Sequence, residues 1–452
     1  MDFLLPSLLT ETLLLAPTKL QPLTWDFTQR GYYDRTPPEE LSSEIEYPVL
    51  NSAATEQISG VTEPLVAVIG VGYVGEHLVS VFSNKHQVIG YDVSETRTEI
   101  LSKKFAGNTR VQLTTKATGL KQATHFLIAV PTLLLPDKTI DSSFLRSALA
   151  AVSLHARRGA VVVIESSVAV GMTRELLGPL AKQRGFFAGM SPERVDPGRT
   201  QPPAHAIPKI VSGLDDVVPG SLDAIQRLYS SAFEQVVTVS KPEVAEMMKL
   251  YENCQRMVCI AFANEMADAC IPLGIDPFEV CEAAKTKPFG YMPFTPGLGV
   301  GGHCIPVNPY YLLSNSDFPL LRDASERMRS RPGDIARRAV ERLYATPRGD
   351  LPRPRVLVVG IGFKPGQSHL ANSPGLELAK TLLLTDKVDV AWADPLVKQE
   401  AVPQIRRLAE EDWTLDALEH NYDLIIVALR QYGVDFEVLH QLQGVEVEMW
   451  CP

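Results

Sequence analysis

Cys304 closes the densest chemical run in the chain, Pro296-Gly297-Leu298-Gly299-Val300-Gly301-Gly302-His303-Cys304-Ile305-Pro306. Four of the six residues from 297 to 302 are glycine, so this backbone can come close against a ligand. A thiol at the end of such a loop is a nucleophile where an electropositive setting lowers its pKa; in a tight turn it is equally a packed side chain. His303 is adjacent, but neighbouring side chains in extended backbone point to opposite faces. His303 therefore reads as a ligand contact or a backbone partner rather than as the base for that thiol. The other cysteines, Cys254, Cys259, Cys270, Cys281 and Cys451, lie in helical or terminal segments where packing is the expected role. No pair has CxxC spacing, and no metal site is expected.

Lys249 and Asn253 stand four apart and share one face if the segment is helical. A lysine there can supply charge to an anionic intermediate and an asparagine a hydrogen bond. An exposed lysine beside a surface asparagine is the other reading. Ser191-Pro192-Glu193-Arg194-Val195-Asp196-Pro197-Gly198 follows a short apolar strand, where ligands of open α/β sheets gather, although such a cluster also builds an ordinary turn.

Gly70-Val71-Gly72-Tyr73-Val74-Gly75 is a GxGxxG turn between the apolar run 65–69 and a helical segment. The first glycine permits the tight turn, the second lets a pyrophosphate approach, and the third lets helix pack on strand. The anion would sit at the helix N-terminus, where free N–H groups face it. Asp92 ends the next strand, 22 residues after Gly70. Its carboxylate can accept from ribose hydroxyls and would repel a 2′-phosphate, so the cofactor expected is NAD.

The elements that must carry these residues follow from periodicity. Apolar β-branched runs at 65–70, 87–93, 125–130 and 160–166 alternate with helical patterns at 94–106 and 141–156, which predicts a parallel sheet covered on both faces. Residues 241–272 read as one long helix, with apolar residues recurring at three and four. The α/β pattern returns with strands at 355–363, 388–395, 422–429 and 445–450, and a helix at 373–384 opened by Ser373 and Pro374. The expectation is an α/β chain: an extension 1–62, a Rossmann-like domain 63–240, a helical middle domain 241–345 and a second Rossmann-like, doubly wound domain 346–452.

Composition narrows the partners. The chain has 452 residues with 43 Lys and Arg against 53 Asp and Glu, a net charge of −10, which argues against a dedicated nucleic-acid binder. No apolar run reaches the roughly 18–20 residues of a membrane span. The N-terminal MDFLLPSLLTETLLLAP carries Asp2 and Glu11 and no basic residue before Lys19, unlike a secretory signal, so a cytoplasmic protein with reduced cysteines is expected.

Taken together, the motifs resemble the nucleotide-sugar 6-dehydrogenase family, the UDP-glucose, GDP-mannose and UDP-N-acetylhexosamine dehydrogenases. The resemblance runs from about residue 63 to 450 and rests on the glycine turn, Val130-Pro131-Thr132, Glu165-Ser166-Ser167-Val168, SPERVDPG, KLYEN, GVGGHCIPVNPYYL and GIGFKPGQSHLANSP. It implies that Cys304 is the nucleophile, that Lys249 and Asn253 stabilise oxyanions, and that Glu193 acts in acid/base and hydrolysis steps. Ser167 stands where the family usually has a water-placing Thr. Pro131, Thr132 and Glu165 would join Gly70, Gly72, Tyr73, Val74, Gly75 and Asp92 around NAD. Gly299, Gly301, Gly302, His303 and Lys364 would contact a nucleotide sugar. A homodimer or higher homo-oligomer is implied, with the long helix at its centre.

The implied reaction is a four-electron oxidation at sugar C6 through a cysteine thiohemiacetal and thioester. The loop around His303 and the SPE motif resemble the UDP-N-acetylhexosamine branch, since the histidine position tends to be Ser in the UDP-glucose branch. Asn308 departs from the family, which usually has Asp there; an amide does not titrate. Met328 replaces an Asn in an expected linker before Pro332, and Ala371 replaces an Arg that would bind phosphate. Two further readings follow from these departures: a weakened member kept as a binding or oligomerisation partner, and a two-electron alcohol dehydrogenase on the same scaffold.

Overall fold

The structure is a computed structural model in which residues 63–196, 198–345 and 351–451 are described. The expected extension 1–62, Pro197 of the SPERVDPG loop and the expected start of the last domain at 346–350 lie outside the described residues.

The N-terminal half builds one large sheet. In chain order its elements are β1 (Leu65–Ile69), α1 (Tyr73–Phe82), β2 (Gln87–Tyr91), α2 (Glu95–Lys104), β3 (Val111–Thr114) and β4 (His125–Ile128). A small antiparallel hairpin of β5 (Leu133–Leu134) and β6 (Ile140–Asp141) precedes α3 (Ser143–His155). Next come β7 (Val161–Ile164), α4 (Met172–Arg184), β8 (Phe187–Met190), β9 (Lys209–Gly213), α5 (Ser221–Ala232) and β10 (Val236–Thr238). The strand order is β10-β9-β8-β7-β4-β1-β2-β3. Its six-strand part matches the order 3-2-1-4-5-6 of a Rossmann sheet.

Alternate residues serve opposite faces, as a pleated strand requires. Val66, Val68, Val161 and Val163 pack with Leu78, Phe82, Ile225 and Leu228 on one side. Ala67, Ile69, Val162 and Ile164 pack with Leu149, Leu177 and Leu180 on the other. Both faces are dry, which explains the unbroken apolar runs. The expectation of a parallel sheet fails at one seam: β8 and β9 are antiparallel. The strand at β9 was not read from the sequence at all.

The long helix is α6 (Pro242–Cys270), 29 residues with proline in its first turn, where a missing N–H costs nothing. It is followed by α7 (Pro277–Lys285), α8 (Asn308–Leu313) and α9 (Pro319–Leu343). The expected linker before Pro332 is instead the interior of α9. Leu321, Ala324 and Met328 at its start pack into the α6 and α8 cluster. Ile335, Ala336, Ala339 and Val340 pack against the second sheet. Burial in two cores holds the helix through a proline that leaves the Met328 carbonyl without its helical donor.

That second sheet contains β11 (Arg355–Val359), α10 (Pro374–Leu384), β12 (Asp389–Ala393), β13 (Arg406–Arg407), α11 (Leu415–Asn421), β14 (Leu424–Val427) and β15 (Glu446–Met449). Its order, β13-β12-β11-β14-β15, is all parallel. Ser373 caps α10 by accepting from the Leu376 N–H at 3.2 Å, as the sequence indicated. Among the described residues no helix is long and apolar enough to cross a membrane.

Candidate active site

The glycine turn joins β1 to α1 as its spacing demands. Gly70 has φ +84°, and a Cβ on Gly75 would collide with the Gly70 carbonyl. A Cβ on Gly72 would meet nothing within 4 Å. The middle glycine thus opens onto free space at the α1 N-terminus, the room that a pyrophosphate needs. Asp92 is half-buried beside it, its carboxylate accepting from the Val71 N–H and the Ser94 N–H, each at 2.9 Å. These bonds fix the carboxylate and leave lone pairs for ribose hydroxyls. These residues fit a dinucleotide.

Arg97 on α2 was missed by the sequence reading. It donates to the Val71 carbonyl at 2.7 Å and the Gly72 carbonyl at 3.1 Å, and pairs with Glu76 at 2.5 Å. Its only sequence signal was a basic residue one turn into the helix after Asp92. Tyr73 donates its hydroxyl to the Asp196 carbonyl at 3.1 Å, and Val74 packs into the core below. Pro131 and Thr132 follow β4, and Thr132 Oγ1 donates to the Ser167 carbonyl at 2.6 Å. The loops after β4 and β7 are therefore tied together beyond the carboxyl ends of their strands, where ligands of this fold bind.

Cys304 is exposed, unlike the other five cysteines, which are buried or half-buried. Its carbonyl accepts from the Val307 N–H at 3.2 Å and the Asn308 N–H at 2.9 Å, so the thiol sits on the turn that opens α8. The preceding glycines press on the second sheet's loop instead of on open space. A Cβ on Gly301 would meet Phe363 Cβ at 2.8 Å and Pro374 Cδ at 3.0 Å. One on Gly299 would meet Pro332 and Pro374. Gly302 donates its N–H to the Ala371 carbonyl at 2.8 Å and accepts from Asn372 at 2.9 Å. His303 is exposed in the same turn; desolvation by neighbouring protein lowers its pKa, and His369 nearby lowers it further. Lys364, expected to face substrate, has its Nζ 2.9 Å from Asp196 of the SPERVDPG loop.

Lys249 and Asn253 share one face of α6, as their spacing requires. Asn253 is buried and donates to the Asn308 side-chain oxygen at 2.5 Å. Lys249 is half-buried; desolvation lowers its pKa, against the pull of Cys304, Glu252 and Glu193. The surroundings of Cys304 raise its thiol, Lys249 pulls it down, and Asp196 raises it again. The Lys249 charge favours the thiolate, but desolvation by the surrounding protein outweighs it.

Glu193 accepts from the Arg194 N–H at 2.6 Å and the Val195 N–H at 2.8 Å. Glu165, expected at the cofactor, is placed differently: its carboxylate is fully buried, 2.6 Å from Lys209 Nζ, and accepts from the Tyr229 hydroxyl. An unpaired carboxylate cannot be buried cheaply, and these two partners are what permit it. Lys209 and Tyr229 carried no signal in the sequence, because each lies far along the chain from its partner.

Comparison with known proteins agrees with this arrangement. The family model for the NAD binding domain of the UDP-glucose/GDP-mannose dehydrogenase family matches residues 65–233, and that for the family's central domain matches 243–322. The chain is 31% identical over 427 residues to the UDP-N-acetyl-D-glucosamine 6-dehydrogenase of Salmonella typhi, covering 85% of this chain and 97% of that one. The chain belongs to the UDP-glucose/GDP-mannose dehydrogenase family. It is also 32% identical to the UDP-N-acetyl-D-mannosamine dehydrogenase of Pyrococcus horikoshii, over 74% of this chain and 84% of the relative. The solved structure of a UDP-D-ManNAc dehydrogenase from Pyrococcus horikoshii superposes with a TM-score of 0.74 at 26% identity, covering 85% of this chain and 99% of that one.

The protein is thus an NAD-dependent nucleotide-sugar dehydrogenase, an oxidoreductase. In this dehydrogenase the glycine turn and Asp92 have the geometry that suits NAD, and Arg97 braces the turn through the Val71 and Gly72 carbonyls. Around Cys304 the structure gathers a thiol, the Lys249 ammonium that acts on it, and the Asn253 amide bonded to Asn308 of the same turn.

Proposed function

We propose that the enzyme oxidises C6 of a UDP-N-acetylhexosamine to the uronic acid in two steps, using Cys304 as a covalent nucleophile. The observation that carries this reading is an exposed thiol on the turn that opens α8, with Lys249 and Asn253 one turn apart on α6 and Asn253 bonded to Asn308 of that same turn. Bound NAD supplies the hydride acceptor for each of the two oxidations. The first leaves an aldehyde, to which the Cys304 sulfur adds. The oxyanion of that adduct is stabilised by Lys249 and Asn253. The second oxidation leaves a thioester, and water releases the acid with Glu193 as base and Ser167 as water-placing residue. The sum is one alcohol, two NAD+ and one water giving one carboxylic acid, two NADH and two protons.

The N-acetylhexosamine preference rests on the names of the relatives above and on His303 in the loop. The active form in this proposal is a homodimer formed through α6, with the domain divisions at 240 and 345. Tyr251, Phe262 and Met266 are exposed on that helix at 67%, 64% and 47%, a large apolar face for a monomer to leave in water.

The test is NADH yield per acid formed, over a panel of UDP-N-acetylglucosamine, UDP-N-acetylmannosamine, UDP-glucose and GDP-mannose. Two NADH per product and loss of acid formation by at least about 10³-fold in Cys304→Ser are expected. One NADH per product would establish a two-electron enzyme instead. NAD binding without turnover on any sugar nucleotide would establish a weakened member, the reading that Asn308 motivates. A monomer in sedimentation would overturn the dimer.

A further inference from the structure

The antiparallel seam between β8 and β9 has a consequence for Glu193. Gly189 pairs with Gly213 and Met190 with Ser212. Continued past the end of β8, that register sets Lys209 across from Glu193. Residues directly opposite in an antiparallel pair put their side chains on the same face. A parallel β9 would have brought its last residue to this edge instead of its first. The reversal thus delivers a lysine to the carboxyl end of the sheet, where Glu165 follows β7 and the SPE loop follows β8.

The resulting cluster is dry. Lys209 is 2% exposed and Glu165 is 0% exposed. Lys209 Nζ lies 2.6 Å from Glu165 and 3.4 Å from Glu193, and donates to the Pro192 carbonyl at 3.4 Å. Tyr229 donates to the other Glu165 oxygen. The rings of Tyr229 and Phe233 line the lysine, with centroids 6.0 Å and 5.7 Å from Nζ. Lys209 cannot swing to another partner without leaving a buried carboxylate alone, which is costly. Glu193 is pinned between it and the two backbone N–H groups.

We infer that Lys209, anchored by Glu165 and Tyr229, is a positioning residue that holds the Glu193 carboxylate for hydrolysis of the enzyme-bound acyl group. This rests on the covalent reading proposed above. In the step concerned, Glu193 takes one proton from water as the water oxygen bonds to the thioester carbon. The carbon–sulfur bond then breaks, Cys304 leaves with the electron pair as thiolate, and the acid product gives its proton to solvent. Lys209 itself touches neither water nor substrate.

The test combines Lys209→Met, Lys209→Arg, Glu193→Gln and the double Lys209→Met/Glu193→Gln. Each is assayed with NAD and UDP-N-acetylglucosamine or UDP-N-acetylmannosamine, whichever turns over. In Lys209→Met, acid release should fall by of the order of 10²-fold, the usual weight of a placed general base. The NADH burst should survive, an acyl adduct on Cys304 should accumulate by intact mass, and KM should fall with kcat so that kcat/KM is kept within about threefold. Lys209→Arg should restore most of the rate. The double variant should be no slower than Glu193→Gln alone, because a residue acting only through Glu193 has nothing left to position.

A double variant slower than the Glu193 single by the full Lys209 factor overturns the assignment, and so does a raised KM at unchanged kcat. If Lys209→Met does not fold, Lys209→Met/Glu165→Met removes both buried charges together and should show the same adduct. Failure of the covalent reading looks different: neither wild type nor any variant then yields an adduct, and wild type gives one NADH per product.

Discussion

The side-chain amide of Asn253 on α6 donates to the side-chain oxygen of Asn308 on α8, 2.5 Å away, and both groups are buried. Asn308 also donates its backbone N–H to the Cys304 carbonyl at 2.9 Å. A residue proposed to steady an oxyanion is thus bonded to the residue that replaces the family's usual Asp. Asn308→Asp keeps an acceptor for Asn253 and adds a group that can take a proton. We expect it to fold normally and to raise kcat for acid formation by about tenfold or more, within the range a placed base supplies. Steady-state kinetics with NADH and acid measured together would check this. An unchanged kcat would mean that the proton is already taken elsewhere.

The thiol of Cys304 sits between opposing influences, and each can be removed. Desolvation by the surrounding protein raises its pKa, Lys249 lowers it and Asp196 raises it. Since the thiolate is the reactive form, alkylation should be slow at about pH 7 and climb steeply with pH. Lys249→Met should push the rise to higher pH, and Asp196→Asn to lower pH. Rates of iodoacetamide labelling against pH, with the site of labelling read by mass, give the comparison. Two variants shifting in the same direction would contradict this account of the charges.

Much of this was visible in the sequence where the physics is local. The buried runs at 65–69 and 161–164 are apolar on both faces, so their strands could be read directly. Lys249 and Asn253 were recoverable because four residues is one turn of helix. Ser373 announced α10 because capping is a neighbour effect. What stayed hidden depends on pairing across distance. Lys209 and Glu165 are 44 residues apart, and nothing near either residue records their contact. The direction of β9 was equally silent, since a short strand shows the same pattern in either sense. The glycines at 299–302 looked like ligand-facing backbone, because sequence shows that a close approach is allowed without showing to what.

Gly72 and Gly301 separate those two uses of glycine. A Cβ on Gly72 meets nothing within 4 Å, whereas one on Gly301 meets Phe363 at 2.8 Å and the Asn372 carbonyl at 3.2 Å. Gly72→Ala should leave thermal stability unchanged and weaken NAD by about tenfold or more, roughly 1.4 kcal/mol. Gly301→Ala should bind NAD normally and lose about 1–3 kcal/mol of stability, the cost of overpacking. It should also lower kcat, since it moves the loop that carries Cys304. Calorimetric NAD titration beside thermal unfolding distinguishes the pair, and a stability loss in Gly72→Ala would sink the assignment of open space there.

His125, at the start of β4, gives the fold an acid-sensitive point away from the site. Desolvation lowers its pKa from 6.5 to about 4, with His86 and Arg227 adding to the shift. Its ring nitrogen lies 2.8 Å from the Thr124 hydroxyl. A histidine lowered on folding is held neutral in the native state while the unfolded chain takes up a proton. Its contribution is therefore fully present above 6.5 and is lost as pH falls through 6.5 toward 4. At about 1.4 kcal/mol per unit, the loss is at most about 3.5 kcal/mol. His125→Gln removes this dependence. Thermal midpoints of wild type and variant should converge or cross in the variant's favour between about pH 7.5 and pH 4.5. Parallel curves over that range would show that His125 is not buried neutral.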